Sequence, residues 1–197
     1  MSKTIKVFSP ATIGNIGPGF DVLGLAVKGM GDIVEVWNTP GNKIIIEEIL
    51  NADHPISKDP DQNTAGIAAR EVLRLLKLKE GIGMRIVKGM PAGSGLGSSA
   101  ASAEAAAYAV NLLFDEPLSK MDLILPATLA EEYVSGAFFC RQRSASAFRG
   151  RHPHPLLSSA GCHTLRFPIR PYHYSGVAKY SDTYQRCPGH PPKRGSN

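Results

Sequence analysis

No stretch of the 197-residue chain reaches the roughly 18 consecutive apolar residues that a membrane-spanning helix requires. The opening Met-Ser-Lys-Thr-Ile-Lys also lacks the apolar core of a secretion signal. Those two absences make a soluble, cytoplasmic protein the expectation. Cysteine is scarce: Cys140, Cys162 and Cys187 make an odd count without metal-ligand spacing, which argues against a disulfide framework. What the C-terminal part lacks most is acid. Residues 140–197 hold 10 Lys/Arg against the single acid Asp182, whereas residues 1–139 hold 12 Lys/Arg against 16 Asp/Glu. The net charge of +5 therefore averages −4 and +9, and does not mark the whole chain as a nucleic-acid binder. The same C-terminal stretch holds all three cysteines, five of six histidines and seven of fifteen prolines. A composition break this sharp sets a boundary near residue 139.

Ahead of that boundary the patterning is regular. Residues 3–9 contain a β-prone run that ends at Pro10. Residues 32–37 and 43–50 are rich in Ile and Val and read as two strands joined by a turn. In residues 63–78 the apolar positions Ile67, Val72, Leu75, Leu76 and Leu78 recur near helical spacing, and Asn63 or Thr64 is placed to cap the helix. Residues 84–87 form a short strand. The alanine-dense residues 98–113 form a helix, and 119–134 another that Pro126 bends or divides. Strands and helices mix without steady βαβ alternation, so the expected class is α+β. Beyond residue 139 no amphipathic period persists, which predicts a disordered tail over 140–197.

Between the strand at 84–87 and the alanine-rich helix lies Pro91-Ala92-Gly93-Ser94-Gly95-Leu96-Gly97-Ser98-Ser99-Ala100. Three glycines at alternate positions let backbone N–H groups approach an anion, and the positive end of the following helix points at the same place. Ser98 and Ser99 add hydroxyls for a phosphate oxygen or a Mg²⁺ ion. No Gly-Lys-Ser/Thr follows, so the loop is not a Walker A motif, and its spacing is not that of a dinucleotide fingerprint. The plain alternative is a flexible turn feeding a helix. Lys88, just before the loop, is placed to steer phosphate or to serve as an exposed structural lysine.

A second string, Pro10-Ala11-Thr12-Ile13-Gly14-Asn15-Ile16-Gly17-Pro18-Gly19-Phe20-Asp21-Val22-Leu23-Gly24, reads as a strand entering a tight turn. It presents one amide, Asn15, and one carboxylate, Asp21. A carboxylate suits an ammonium and an amide suits a hydroxyl or carboxylate, so the pair fits an amino-acid substrate. The alternative is that both serve the turn itself.

The glycine-rich loop resembles the phosphate loop of the GHMP kinases, a superfamily of small-molecule kinases. The first string is similar to the Asn-Leu-Gly-x-Gly-Phe-Asp motif of homoserine kinases within it. Residues 59–64 resemble the segment whose asparagine contacts adenine, here Asn63. Residues 130–137 resemble the helix that supplies the Mg²⁺ carboxylate, here Glu131, for which the bland reading is a solvated helix face shared with Glu132. The resemblance covers residues 1–139 and implies an N-terminal GHMP domain of the ribosomal protein S5 domain 2 type. It further implies ATP and Mg²⁺ as cofactors and L-homoserine as the substrate. The product would be O-phospho-L-homoserine for threonine synthesis, and the full-length form a homodimer, with neither nucleic acid nor membrane as partner. Pro91, Gly93, Ser94, Gly95, Leu96, Gly97, Ser98, Ser99 and Ala100 would hold the nucleotide, Ser99 and Glu131 the metal, and Asn15 and Asp21 the reacting homoserine.

Where that family continues with a histidine and Ala-Asp-Asn-Val-Ala-Pro, this chain has Phe139-Cys140-Arg141-Gln142-Arg143. Read one base later, the codons for residues 140–155 can encode ADNVAPAPFGGVTLIR, and those for 184–188 can encode TSDAR. Both are family-like, so residues from about 140 onward are expected to be a frameshift product that replaces a second GHMP domain. Two other functions compete. One is a GHMP kinase for a different small alcohol, which an assay across alcohols separates. The other is a non-enzymatic nucleotide- or nucleic-acid-binding fragment using the basic tail, which salt-dependent DNA binding would reveal.

Overall fold

The computed structural model describes residues 3–16, 19–91, 93–135 and 154–155. Among the described residues eight elements follow one another: β1 (Thr4–Ile16), β2 (Gly19–Thr39), β3 (Ile44–Leu50), α1 (Thr64–Leu75), β4 (Gly81–Val87), α2 (Ser98–Leu113), α3 (Lys120–Ser135) and β5 (His154–Pro155). The sheet order is β3-β4-β2-β1-β5, with β3 and β4 parallel and the other pairs antiparallel. The class is α+β. The predicted disordered tail lies outside the described residues apart from His154–Pro155, which bridges Phe8 and Val7 of β1.

The two strands around the Asn-Thr-Pro-Gly-Asn turn exist but do not pair with each other. β4 takes the place between them, because five of its seven residues are buried while β3 keeps Glu47 exposed at the sheet edge. α1 is the crossover that a parallel β3–β4 pair requires. β4 is also longer than predicted, since Gly81 and Gly83 conceal its first half. Gly83 faces Trp37 of β2, and a Cβ built there would lie 2.3 Å from the indole Nε1, so the ring covers a position only glycine leaves open.

Pro10 does not end β1. It sits at a bulge: Pro10 pairs with Gly31 but Ala11 with Val27, so β2 carries the extra residues Lys28, Gly29 and Met30, all exposed. Gly29 takes φ 91°, and the missing donor of Pro10 falls where the ladder is interrupted. β2 likewise begins at Gly19, far ahead of its β-branched stretch.

α1 starts at Asn63, whose Oδ1 accepts from Ala65 N at 3.0 Å. It stops three residues short of the predicted end. Lys77 turns left-handed at φ 56°, while its N–H donates to Arg74 O and that of Leu78 to Leu73 O, the two bonds of a Schellman motif. α2 occupies the predicted residues. Thirteen of its sixteen positions are buried, since alanine side chains let it lie close to β1, β2, α1 and α3 together. α3 runs undivided through Pro126. It opens on Ser119, whose backbone N–H donates to Asp122 Oδ2 at 3.0 Å.

Candidate functional site

The glycine-rich loop leaves β4 at Lys88 and enters α2 at Ser98. Gly93, Gly95 and Gly97 all adopt left-handed φ, at 66°, 75° and 71°. Gly97 is the N-cap of α2 and supplies no side chain, so the first-turn amides are left for another acceptor. The loop is held from within and from below. Ser94 Oγ donates to Pro91 O at 2.7 Å. Leu96 O accepts from Thr12 N at 2.8 Å, and the Leu96 side chain packs on Ala11, Met90 and Ala101. Pro91 and Leu96 thus shape the loop, and Ala100 is fully buried behind it.

The loop forms one wall of a cleft of about 480 Å³ that Asn63, Gly93, Ser94, Gly95, Gly97, Ser98 and Ser99 help to line. Ile49, Pro55 and Ile56 also line it, an apolar surface the sequence did not announce, together with His54. Asn63 is committed at both ends of its amide, since Nδ2 also donates to Ser57 O at 2.8 Å. It reaches the cleft as a helix cap as well as a candidate base contact.

Beneath the first turn of α2 lies a charged group that replaces the expected role of Lys88. Lys88 is buried rather than exposed, and its ammonium pairs with the fully buried Asp32. It also donates to Ser102 Oγ at 2.7 Å and to Ser98 O at 3.2 Å. Three donors meet three acceptors, so this lysine is engaged by the protein itself. Asp32 accepts in addition from Gly89 N at 3.0 Å, Ser98 Oγ at 3.1 Å and Ser102 Oγ at 2.7 Å. The Ser98 hydroxyl is therefore turned toward Asp32, while Ser99 faces the cleft with its carbonyl held by Thr64 Oγ1 at 3.1 Å. The spacing of Ser98 and Ser102 on one helical face was the available signal for this group. Asp32 was hidden at the head of a strand.

A second polar group is buried deeper. Glu131 is 3 % exposed, which rules out the solvated-face reading, and it lies near the wholly buried Glu104 of α2. Burial pushes the Glu104 carboxyl well above its usual range; a hydrogen bond from Ser9 (2.9 Å) lowers it and the charge of Glu131 raises it. Its other oxygen, Oε1, has no hydrogen-bond partner. Two buried carboxylates close together, one of them Glu104 with an unmet acceptor, suit a hard cation, so the donor chemistry fits Mg²⁺. Among the described residues no cluster of three or more His, Cys, Asp or Glu is placed to hold a metal unaided. Asn15 lies on β1 and Asp21 on β2, on facing strands of the hairpin where the register is irregular. Their side chains lie outside the described residues.

Residues 63–139 match the model of the GHMP kinases N terminal domain. They carry a GHMP kinase N-terminal domain. Over 135 residues the chain is 43 % identical to a homoserine kinase of Methanococcus maripaludis, covering 68 % of this chain and 44 % of that protein. The crystal structure of a homoserine kinase from Cytophaga hutchinsonii superposes with a TM-score of 0.71 at 38 % identity, over 75 % of this chain and 47 % of that one. Mevalonate kinase of Methanococcus jannaschii shares the fold at TM-score 0.58 and 16 % identity, over 75 % of this chain and 51 % of that one. The chain thus spans under half the length of the homoserine kinases it matches. Among the described residues no helix is long and apolar enough to cross a membrane.

Proposed function

We propose that this GHMP domain is the nucleotide-binding half of a cytoplasmic homoserine kinase, which transfers the γ-phosphoryl of ATP to the hydroxyl of L-homoserine for threonine synthesis. The observation that carries the reading is the cleft: three left-handed glycines and the uncapped α2 N-terminus face one space large enough for a nucleotide. Phosphoryl transfer is achieved mainly by positioning and charge neutralisation, and fixed backbone amides do both without rearranging. The apolar wall at Ile49, Pro55 and Ile56 is suited to a purine, with Asn63 at its edge. Ser99 and Glu131 would hold Mg²⁺, which would supply charge neutralisation to the transferred phosphoryl group. Asn15 and Asp21 would orient homoserine through its ammonium and its hydroxyl or carboxylate.

Residues 1–139 are read as the domain and residues 140–197 as a frameshift product, on the strength of the composition break and the permitted codons. Coding DNA around residues 138–142 decides that point, since codons incompatible with the second reading frame would refute it. The function is tested in a version whose frame is restored after residue 139. It is expected to phosphorylate L-homoserine in preference to mevalonate or galactose. Equal or better turnover of the sugar would refute the substrate.

A further inference from the structure

We infer that Asp32 is a positioning residue that staples together the two ends of the phosphate loop. It touches no substrate under the proposed function, on whose phosphate-binding reading this inference rests. Its Oδ1 accepts from the Gly89 amide, where the chain leaves β4. Its Oδ2 accepts from the Ser98 hydroxyl, where the chain enters α2. One carboxylate therefore closes residues 89–98 into a ring that contains the three left-handed glycines. Lys88 and Ser102 complete its shell from the strand and from the second turn of α2.

The chemistry favours this role over a simple core ion pair. Asp32 is fully buried, and a buried carboxylate is tolerated when several donors, at least one of them charged, satisfy it. Two of its donors belong to the loop boundaries rather than to Lys88, so the carboxylate fixes geometry that charge balance alone does not need. Closing a loop in advance removes ordering cost from ligand binding, which the three flexible glycines would otherwise raise.

The test is hydrogen exchange and ATP titration on the full 197-residue chain. In Asp32→Leu/Lys88→Met both charges go and apolar side chains of similar length remain, a replacement that is often neutral for stability. The expected result is faster exchange of amides 89–97, by about 10-fold or more, with α1 amides within about twofold of wild type. ATP affinity should fall at an unchanged Tm. Loop exchange and affinity like those of wild type would overturn the proposal and leave Asp32 as a counter-ion. Should the double variant unfold, Ser98→Ala and Ser102→Ala decide. Only Ser98 holds the loop boundary, so only Ser98→Ala should loosen 89–97, and equal effects would overturn the staple. A wild-type chain that shows the staple but no ATP binding would refute the nucleotide reading instead.

Discussion

Asp32, beneath α2, and Glu104, on it, are both wholly buried, and they live in opposite company. Asp32 sits under the first turn with donors from Gly89, Ser98, Ser102 and Lys88, whereas Glu104, farther along the helix, has one donor in Ser9 and another carboxylate nearby. The first arrangement is complete and holds a loop in place. The second is incomplete, and a proton or a cation would complete it. One helix thus carries a finished anchor and, within two turns, a carboxylate with an unmet acceptor.

The largest effect should come from breaking the finished side. Asp32→Ala leaves Lys88 buried without its counter-charge, and the chain should lose about 3–5 kcal/mol in denaturant unfolding. A loss below about 1 kcal/mol would mean that cleft water already compensates the lysine. Among the residues proposed to hold Mg²⁺, Ser99→Ala and Glu131→Gln in the frame-restored enzyme should each lower kcat by about 10²-fold or more with little change in Tm. Near-normal turnover at saturating Mg²⁺ would return that residue to packing.

These two sides were not equally legible. Helix α2 and the loop could be read because alanine density and alternate glycines are local signals, and Ser98–Leu113 fell where predicted. The β4 insertion between β2 and β3 could not, because strand order is set by which strand can be buried on both sides, and two glycines masked that strand. Asp32 was invisible for a related reason: its partners lie 56 to 70 residues away and meet only through the sheet. Glu131 could be named from its motif, but its burial and its neighbour Glu104 came from the packing of α2 on α3.

Smaller changes sharpen the contrast. Gly95→Ala meets no atom within 4 Å, so its cost is the left-handed backbone alone, about 1–2 kcal/mol. It should weaken nucleotide binding with only a slight fall in Tm, and a large loss of Tm would show that the loop is part of the core. Glu104→Gln should act through pH in Mg²⁺-free buffer. Because burial raises this carboxyl, the folded state holds its proton more tightly, so its stabilising contribution is complete below the ordinary value of 4.5 and declines as pH rises toward the raised one. The variant should therefore gain Tm over wild type at about pH 7.5 and lose that advantage near pH 4.5. An advantage that is the same at both values would mean that Glu104 does not titrate differently on folding.

The proposed function depends on the amides of this loop and of the α2 N-terminus forming a phosphate cradle. Amide chemical shifts of the isotope-labelled chain, titrated separately with ATP and with adenosine, test it most directly. Weak, saturable shifts are expected at Gly93, Gly95, Ser98, Ser99 and Ala100 with ATP, and none at those positions with adenosine. Loop amides that ignore ATP, or that respond equally to adenosine, would contradict it.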